Sequence, residues 1–153
     1  MAEINAVPKG LTSVTAQLTV PNASEAIEFY KKIFNAEVVD KAMDESGKKV
    51  MHATLRINDT SFFCNDAFPE WGGDPASPAT LWLYASDADF IFTRAVEAGC
   101  TVLMPMTDQF WGDRSGTVKD RFGIKWNIAK HVKDMTAEEQ RKAGEAFMKG
   151  AKK

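Results

Sequence analysis

The chain has 153 residues, 44% of them hydrophobic and 26% charged, enough to bury a core as one globular domain or as two small modules sharing one. A net charge of -2 with both signs mixed offers no field for phosphate backbones, which argues against nucleic acid as a partner. No apolar stretch approaches the roughly 18 residues of a membrane span, and no apolar run follows a basic N-terminal segment, so a cytoplasmic protein with neither membrane anchor nor signal peptide is expected.

The two cysteines, Cys64 and Cys100, sit in apolar runs and read as reduced, buried thiols, with a disulfide as the lesser alternative. After a lead-in ending at Gly10, residues Thr12 to Val20 alternate, with Val14, Ala16, Leu18 and Val20 on one face of a predicted strand. Pro21 stops it. Asn22 can then cap a helix with Glu25 at its third position, and Ala26, Phe29, Tyr30 and Ile33 recur at helical spacing to about Asn35. Strand-like runs follow at Ala36 to Met43, Lys49 to Ile57 and, after an Asn58-Asp59 turn, Ser61 to Asn65.

The same order then repeats beyond a Gly- and Pro-marked linker, Asp66 to Ala79. Thr80 to Ala85 is a strand, Ser86 with Asp89 opens a helix that Gly99 ends, and strand-like runs fall at Thr101 to Met106, Thr117 to Lys119 and Ile124 to Ala129. Thr136 with Glu139 opens a last helix that runs into a lysine-rich tail. The reading is one domain over 1–153, with module 1 about 11–66, linker 66–79, module 2 about 80–131 and a C-terminal helix about 136–150. The fold class is α+β.

In each module the apolar strand face must meet the helix, because nothing else in the module covers it. The opposite faces carry Thr15, Gln17, Thr19, His52, Thr54, Arg56, Thr80, Trp82, Tyr84, Lys125 and Asn127. That set suits a ligand-filled cleft; the alternative is a face simply open to water. Between these strands, Asp108 to Gly116 reads as a loop that sets Phe110 and Trp111 beside Asp113 and Arg114. Either it folds over a binding site, or its aromatics cap the core while Asp113 and Arg114 form a surface ion pair.

The order of elements, the D-x-F-G-x-x-W strand at Asp120 to Trp126, and the segments EAIEFYKKIFNAE, HATLRINDT, TLWLYASDADFIFTRAVEAGC and DQFWGDRSGTVKDRFGIKWNIAKH together resemble the vicinal oxygen chelate superfamily. This is the glyoxalase, bleomycin-resistance and extradiol dioxygenase group. Within it the DQFWGDR segment is similar to the PhnB-like branch. The resemblance spans nearly the whole chain and implies two βαβββ modules forming a U-shaped sheet around a cavity, with dimers common. Metalloenzymes of the group hold a divalent ion through His or Glu on the first and last strands of each module. Carried over, those positions read Thr15, Phe63 or its neighbour, Thr80 and Asn127, none of them a good ligand. Neither metal nor cofactor is therefore expected; a set built from His52, Cys64 and Asp66 is the alternative.

The first functional reading is a metal-independent small-molecule binding protein that sequesters an aromatic or cationic compound. Its ligand-binding residues are Gln17, Thr80, Trp82, Tyr84, Phe110, Trp111, Arg114 and Asn127, with Trp111 as an apolar wall, Arg114 as an anion or carbonyl anchor, and Asp66 and Asp113 attracting a cation. The alternative is a glyoxalase-like enzyme of lyase, isomerase or dioxygenase type, using His52 as acid or base or a non-standard metal site. A third is a structural protein with a vestigial cleft. A homodimer is expected, with Phe147 and Met148 of the last helix against a partner.

Overall fold

The computed structural model describes residues 4–72 and 75–151; Gly73 and Asp74 of the linker and the terminal Lys152 and Lys153 lie outside them. The chain divides into two compact units, Met1–Ala79 and Thr80–Lys153. The first contains β1 (Gln17–Thr19), α1 (Ala23–Phe34), β2 (Glu37–Met43), β3 (Val50–Ile57) and β4 (Thr60–Asn65), with the strands in the order β1-β4-β3-β2. β1 runs parallel to β4 and the other pairs are antiparallel. The second contains β5 (Ala79–Tyr84), α2 (Ala88–Glu97), β6 (Thr101–Asp108), β7 (Asp113–Lys119) and β8 (Ile124–His131) in the corresponding order β5-β8-β7-β6, followed by α3 (Ala137–Ala151). Each is a βαβββ module, and the fold is α+β. No helix among the described residues is long and apolar enough to cross a membrane.

In the first unit, the Asn22 side chain accepts the Glu25 amide at 3.3 Å, and the helix ends at Asn35 in a left-handed conformation. The apolar stripe of α1, Ala26, Ile27, Phe29, Tyr30 and Ile33, is buried, as are Leu18, Ala53, Leu55, Ile57, Phe62 and Cys64 of the sheet. Each large side chain in that layer contributes about 1.5 to 3 kcal/mol. Asp66 ties the layers together, its two oxygens accepting the amides of Ala23 at 3.0 Å and Val50 at 2.7 Å. The helix N-terminus therefore rests on a buried carboxylate.

Two strands differ from expectation. β1 is three residues long rather than nine, and Val14 is 89% exposed. The Thr12 hydroxyl bonds the Val14 carbonyl and the Thr15 hydroxyl bonds the Thr12 carbonyl, so this segment satisfies itself locally instead of joining the ladder. β7, by contrast, begins at Asp113 rather than Thr117. Its polar start Asp-Arg-Ser-Gly lies between β6 and β8, with Ser115 facing Thr107 on one side and Ala129 on the other, and that pairing overrides weak strand propensity. Gly116 is needed there, because a Cβ would fall 2.7 Å from the Phe92 ring of α2.

The helix starts differ as well. α2 starts after Asp87 without a side-chain cap, so Ser86 does not cap it, and Asp89 turns instead to Arg114. At α3 the Glu139 amide donates to the Thr136 hydroxyl at 3.1 Å, as the capping pattern predicts.

Candidate functional site

Alternation along the paired strands of the second unit sorts the candidate residues onto two faces. Asp113, Ser115 and Thr117 of β7 stand opposite His131, Ala129 and Asn127 of β8, and the Thr117 hydroxyl bonds the Asn127 side chain. Tyr84 of β5 reaches the same face, its hydroxyl donating to Asp113 Oδ2 at 2.9 Å. Trp82 stacks on Tyr84 with ring centroids 6.1 Å apart. The indole of Trp111 meets Trp82 edge to face at 6.5 Å and donates its Nε1 proton to Asp113 Oδ2 at 2.8 Å. Trp82 is 49% exposed and Tyr84 53%, while Trp111 is half-buried. Thr80, one strand repeat before Trp82, is exposed on that face as well. This is the face away from α2.

Asp113 holds the group together. It is 3% exposed, and its Oδ1 accepts His131 Nδ1 at 2.9 Å. The other imidazole nitrogen, Nε2, lies 2.7 Å from Asp134 Oδ1. Burial works against the charge on Asp113, yet the hydrogen bonds from His131, Trp111 and Tyr84 together hold its carboxyl below the usual range. Asp113, followed by Asp134, lifts the imidazole of His131 above its ordinary value. Burial, reinforced by the Asp113 carboxylate, lifts the phenol of Tyr84.

Arg114 faces elsewhere, while Phe110 lies beside the cluster, its ring edge to face with Trp111 at 5.0 Å. One residue along β7, Arg114 points to the α2 side, where its Nε and Nη2 bond the Asp89 carboxylate at 3.0 Å and its Nη1 lies 3.4 Å from Asp108. The Asp113–Arg114 ion pair considered for the sequence is thus replaced by two separate networks. Phe110 packs on Phe147 of α3 with centroids 5.1 Å apart and lies against Gly144.

In the first unit, Gln17, Thr19, His52, Thr54 and Arg56 share the face away from α1, as the alternation predicts. His52 Nε2 lies 3.2 Å from the Thr54 hydroxyl and 3.4 Å from Asp40 Oδ1, and its ring packs against Phe63 at 4.9 Å. Asp66, expected to draw a cation, is buried with both oxygens on backbone amides.

The four residues that the family resemblance assigns to ligand positions carry no imidazole, thiol or carboxylate. Thr15 lies before β1 with its hydroxyl on Thr12, Phe63 is apolar, Thr80 is a neutral hydroxyl, and the Asn127 side chain is engaged by Thr117. Among the described residues, no three His, Cys, Asp or Glu side chains form a metal-binding group.

Sequence reasoning missed Asp113 as the hub and gave His131 no role in the site. The signal was present: continuing the β8 alternation past Lys125, Asn127 and Ala129 places His131 on the same face.

Two sheets of identical strand order, each with a helix on one face, are matched from residue 12 to 128 by the profile of the Glyoxalase/Bleomycin resistance protein/Dioxygenase superfamily. The chain belongs to this superfamily. Uncharacterized protein Rv0887c of Mycobacterium tuberculosis is 36% identical over 135 residues, covering 83% of this chain and 79% of that one. Among solved superfamily-like folds, a gene product of Arabidopsis thaliana is 27% identical with a TM-score of 0.62, covering 78% of this chain and 98% of its own. A PhnB protein from Bacillus cereus is 25% identical with a TM-score of 0.58, covering 78% and 99%.

Proposed function

We propose that this superfamily member binds a planar aromatic small molecule, without a bound metal, on the face of its second sheet formed by Thr80, Trp82, Tyr84, Trp111 and Asn127. The observation that carries this reading is the placement of Trp82 and Tyr84, large rings stacked on one another yet half-exposed on a sheet face. Core aromatics are covered; these present their surfaces. An aromatic ligand fits better than a bare cation, because the nearby carboxylate, Asp113, is buried and already faces His131. Arg114 is left out of the site, being occupied by Asp89 and Asp108. The DQFWGDR segment and the likeness to the Bacillus cereus PhnB protein support a place in the PhnB-like branch. The buried thiols of Cys64 and Cys100 suit a reducing, cytoplasmic setting.

The test is titration of intrinsic fluorescence with three planar probes: quinoline, 2-naphthoate and proflavine. At least one should bind, and Trp82→Ala should weaken it tenfold or more, about 1.4 kcal/mol. Equal binding by wild type and Trp82→Ala would remove the site.

A second reading rests on His52. Its contact with Asp40 is the arrangement that orients a general acid or base. Conversion of a bound probe, followed by mass spectrometry and abolished by His52→Gln, would favour an enzyme; recovery of every probe unchanged would count against it.

A further inference from the structure

Resting on that reading, we propose that Asp113 is the positioning residue of the aromatic face, fixing the rings of Trp111 and Tyr84 edge-inward so that their flat surfaces meet the ligand, with His131 as its proton-bearing partner. One oxygen, Oδ2, accepts both the indole Nε1–H at 2.8 Å and the phenol O–H at 2.9 Å. The two rings come from different elements, the turn between β6 and β7 and the end of β5, so a single buried atom sets their relative orientation. Their polar edges are consumed by that atom. What remains for a ligand is ring face, which selects flat, electron-poor or apolar surfaces rather than groups seeking a donor from these two residues.

The other oxygen, Oδ1, depends on His131, whose two nitrogens both face carboxylates, Asp113 and Asp134. An imidazolium donates to both. A neutral ring carries one N–H and leaves one carboxylate without a donor. The titratable groups facing the imidazole among the described residues are Asp113 from β7, Tyr84 from β5 across that carboxylate, and Asp134 beyond β8. The tie to Oδ1 therefore weakens with the charge on His131: the fully exposed Asp134 can yield the remaining N–H to Asp113, but the charge-assisted bond becomes one from a neutral donor. An asparagine at 113 breaks that tie without breaking the geometry. Its carbonyl oxygen still accepts from both rings, and its amide N–H donates to a neutral His131 Nδ1, leaving Nε2–H for Asp134.

The experiment measures binding of quinoline, 2-naphthoate and proflavine to wild type, Asp113→Ala and Asp113→Asn from pH 6 to 9, together with indole N–H relaxation of Trp111 by nuclear magnetic resonance in the ligand-free protein. Wild type should bind at least one probe, with affinity falling as pH rises through the His131 titration. Asp113→Ala should bind it at least tenfold more weakly and show a mobile Trp111 indole. Asp113→Asn should recover affinity to within threefold of the wild-type value at pH 6, with a flat pH profile. If Asp113→Ala does not fold, the flat profile of Asp113→Asn against the sloping wild type decides alone. Wild type and Asp113→Ala binding equally, or identical pH profiles for wild type and Asp113→Asn, would overturn the positioning role while leaving the ligand reading intact. Failure of every probe to bind wild type would overturn both.

Discussion

The imidazole of His131 stabilises the fold in a pH window whose direction follows from its partners. Its folded-state value is raised by Asp113 and Asp134, so its contribution is complete below the unfolded value near 6.5 and is lost as pH rises through the folded one. Asp113, held low, contributes above the unfolded carboxylate value and loses that contribution as pH falls through its folded value. Thermal melting of His131→Gln should therefore lie below wild type at pH 6 and approach it by pH 9; a gap that widens with pH would contradict the ion contact. Gly112 is the other sensitive position in this turn. Its φ is +98° and an added Cβ would meet the Lys133 carbonyl oxygen at 2.3 Å, where Gly112 O itself receives the amides of Val132 and Lys133. Gly112→Ala should cost roughly 2 to 4 kcal/mol in denaturant unfolding, and a loss under about 0.5 kcal/mol would show that the turn relaxes. Cys100 offers a simpler check. Burial pushes its thiol up to about 12, leaving a thiolate fraction on the order of one in ten thousand at pH 8, so a thiol reagent should label it only on unfolding.

Among the elements, β7 shows what sequence pattern misses. The run Asp-Arg-Ser-Gly carries no apolar alternation of its own, and only its neighbours β6 and β8 draw it into the sheet. Once it is a strand, Asp113 and Arg114 must point to opposite faces, and this separates the two residues that adjacency in sequence had put together. Where local chemistry decides, the sequence was readable. The Asp120 turn is an example: its carboxylate accepts the amides of Phe122 and Ile124 and the indole N–H of Trp126, which explains the spacing of Asp120 and Trp126 in the motif. The caps at Asn22 and Thr136 are others, whereas Ser86 lies one residue before the N-cap position, which Asp87 holds without a side-chain bond. α3 docks through Phe147 on Phe110. Thr136→Ala should therefore cost about 1 kcal/mol, measured as lost helical signal at intermediate denaturant before the sheets unfold.

At the scale of the molecule, the repeated strand order could be read from periodicity and turns, and the sorting of residues between the two faces of each sheet followed from alternation. Which polar residues on those faces join one another did not follow, because Tyr84 and Trp111 find Asp113 through tertiary placement rather than spacing. The edge strand β6 carries exposed Val102, Leu103 and Met104. On that ground we propose a homodimer, and light scattering at micromolar concentration should give twice the chain mass; a monomer mass would dismiss it. Because Thr15, Phe63, Thr80 and Asn127, the residues assigned to ligand positions by resemblance, offer no imidazole, thiol or carboxylate, a chelator should leave the melting temperature where it is.

The shortness of β1 has a kinetic consequence. Thr19 and Asn65 lie 46 residues apart in sequence, and β1 meets β4 over only three residues of parallel ladder, with Leu18 buried beneath it. The β3–β4 hairpin closes across a two-residue turn and loses far less chain entropy in forming. β1 should therefore be the last strand to join during refolding and the first to leave during native-state fluctuation. Its amides should exchange with deuterium ahead of those of β3 and β4, by an opening that leaves the hairpin protected. Equal protection across all three strands would mean that the parallel strand and the hairpin open as one unit.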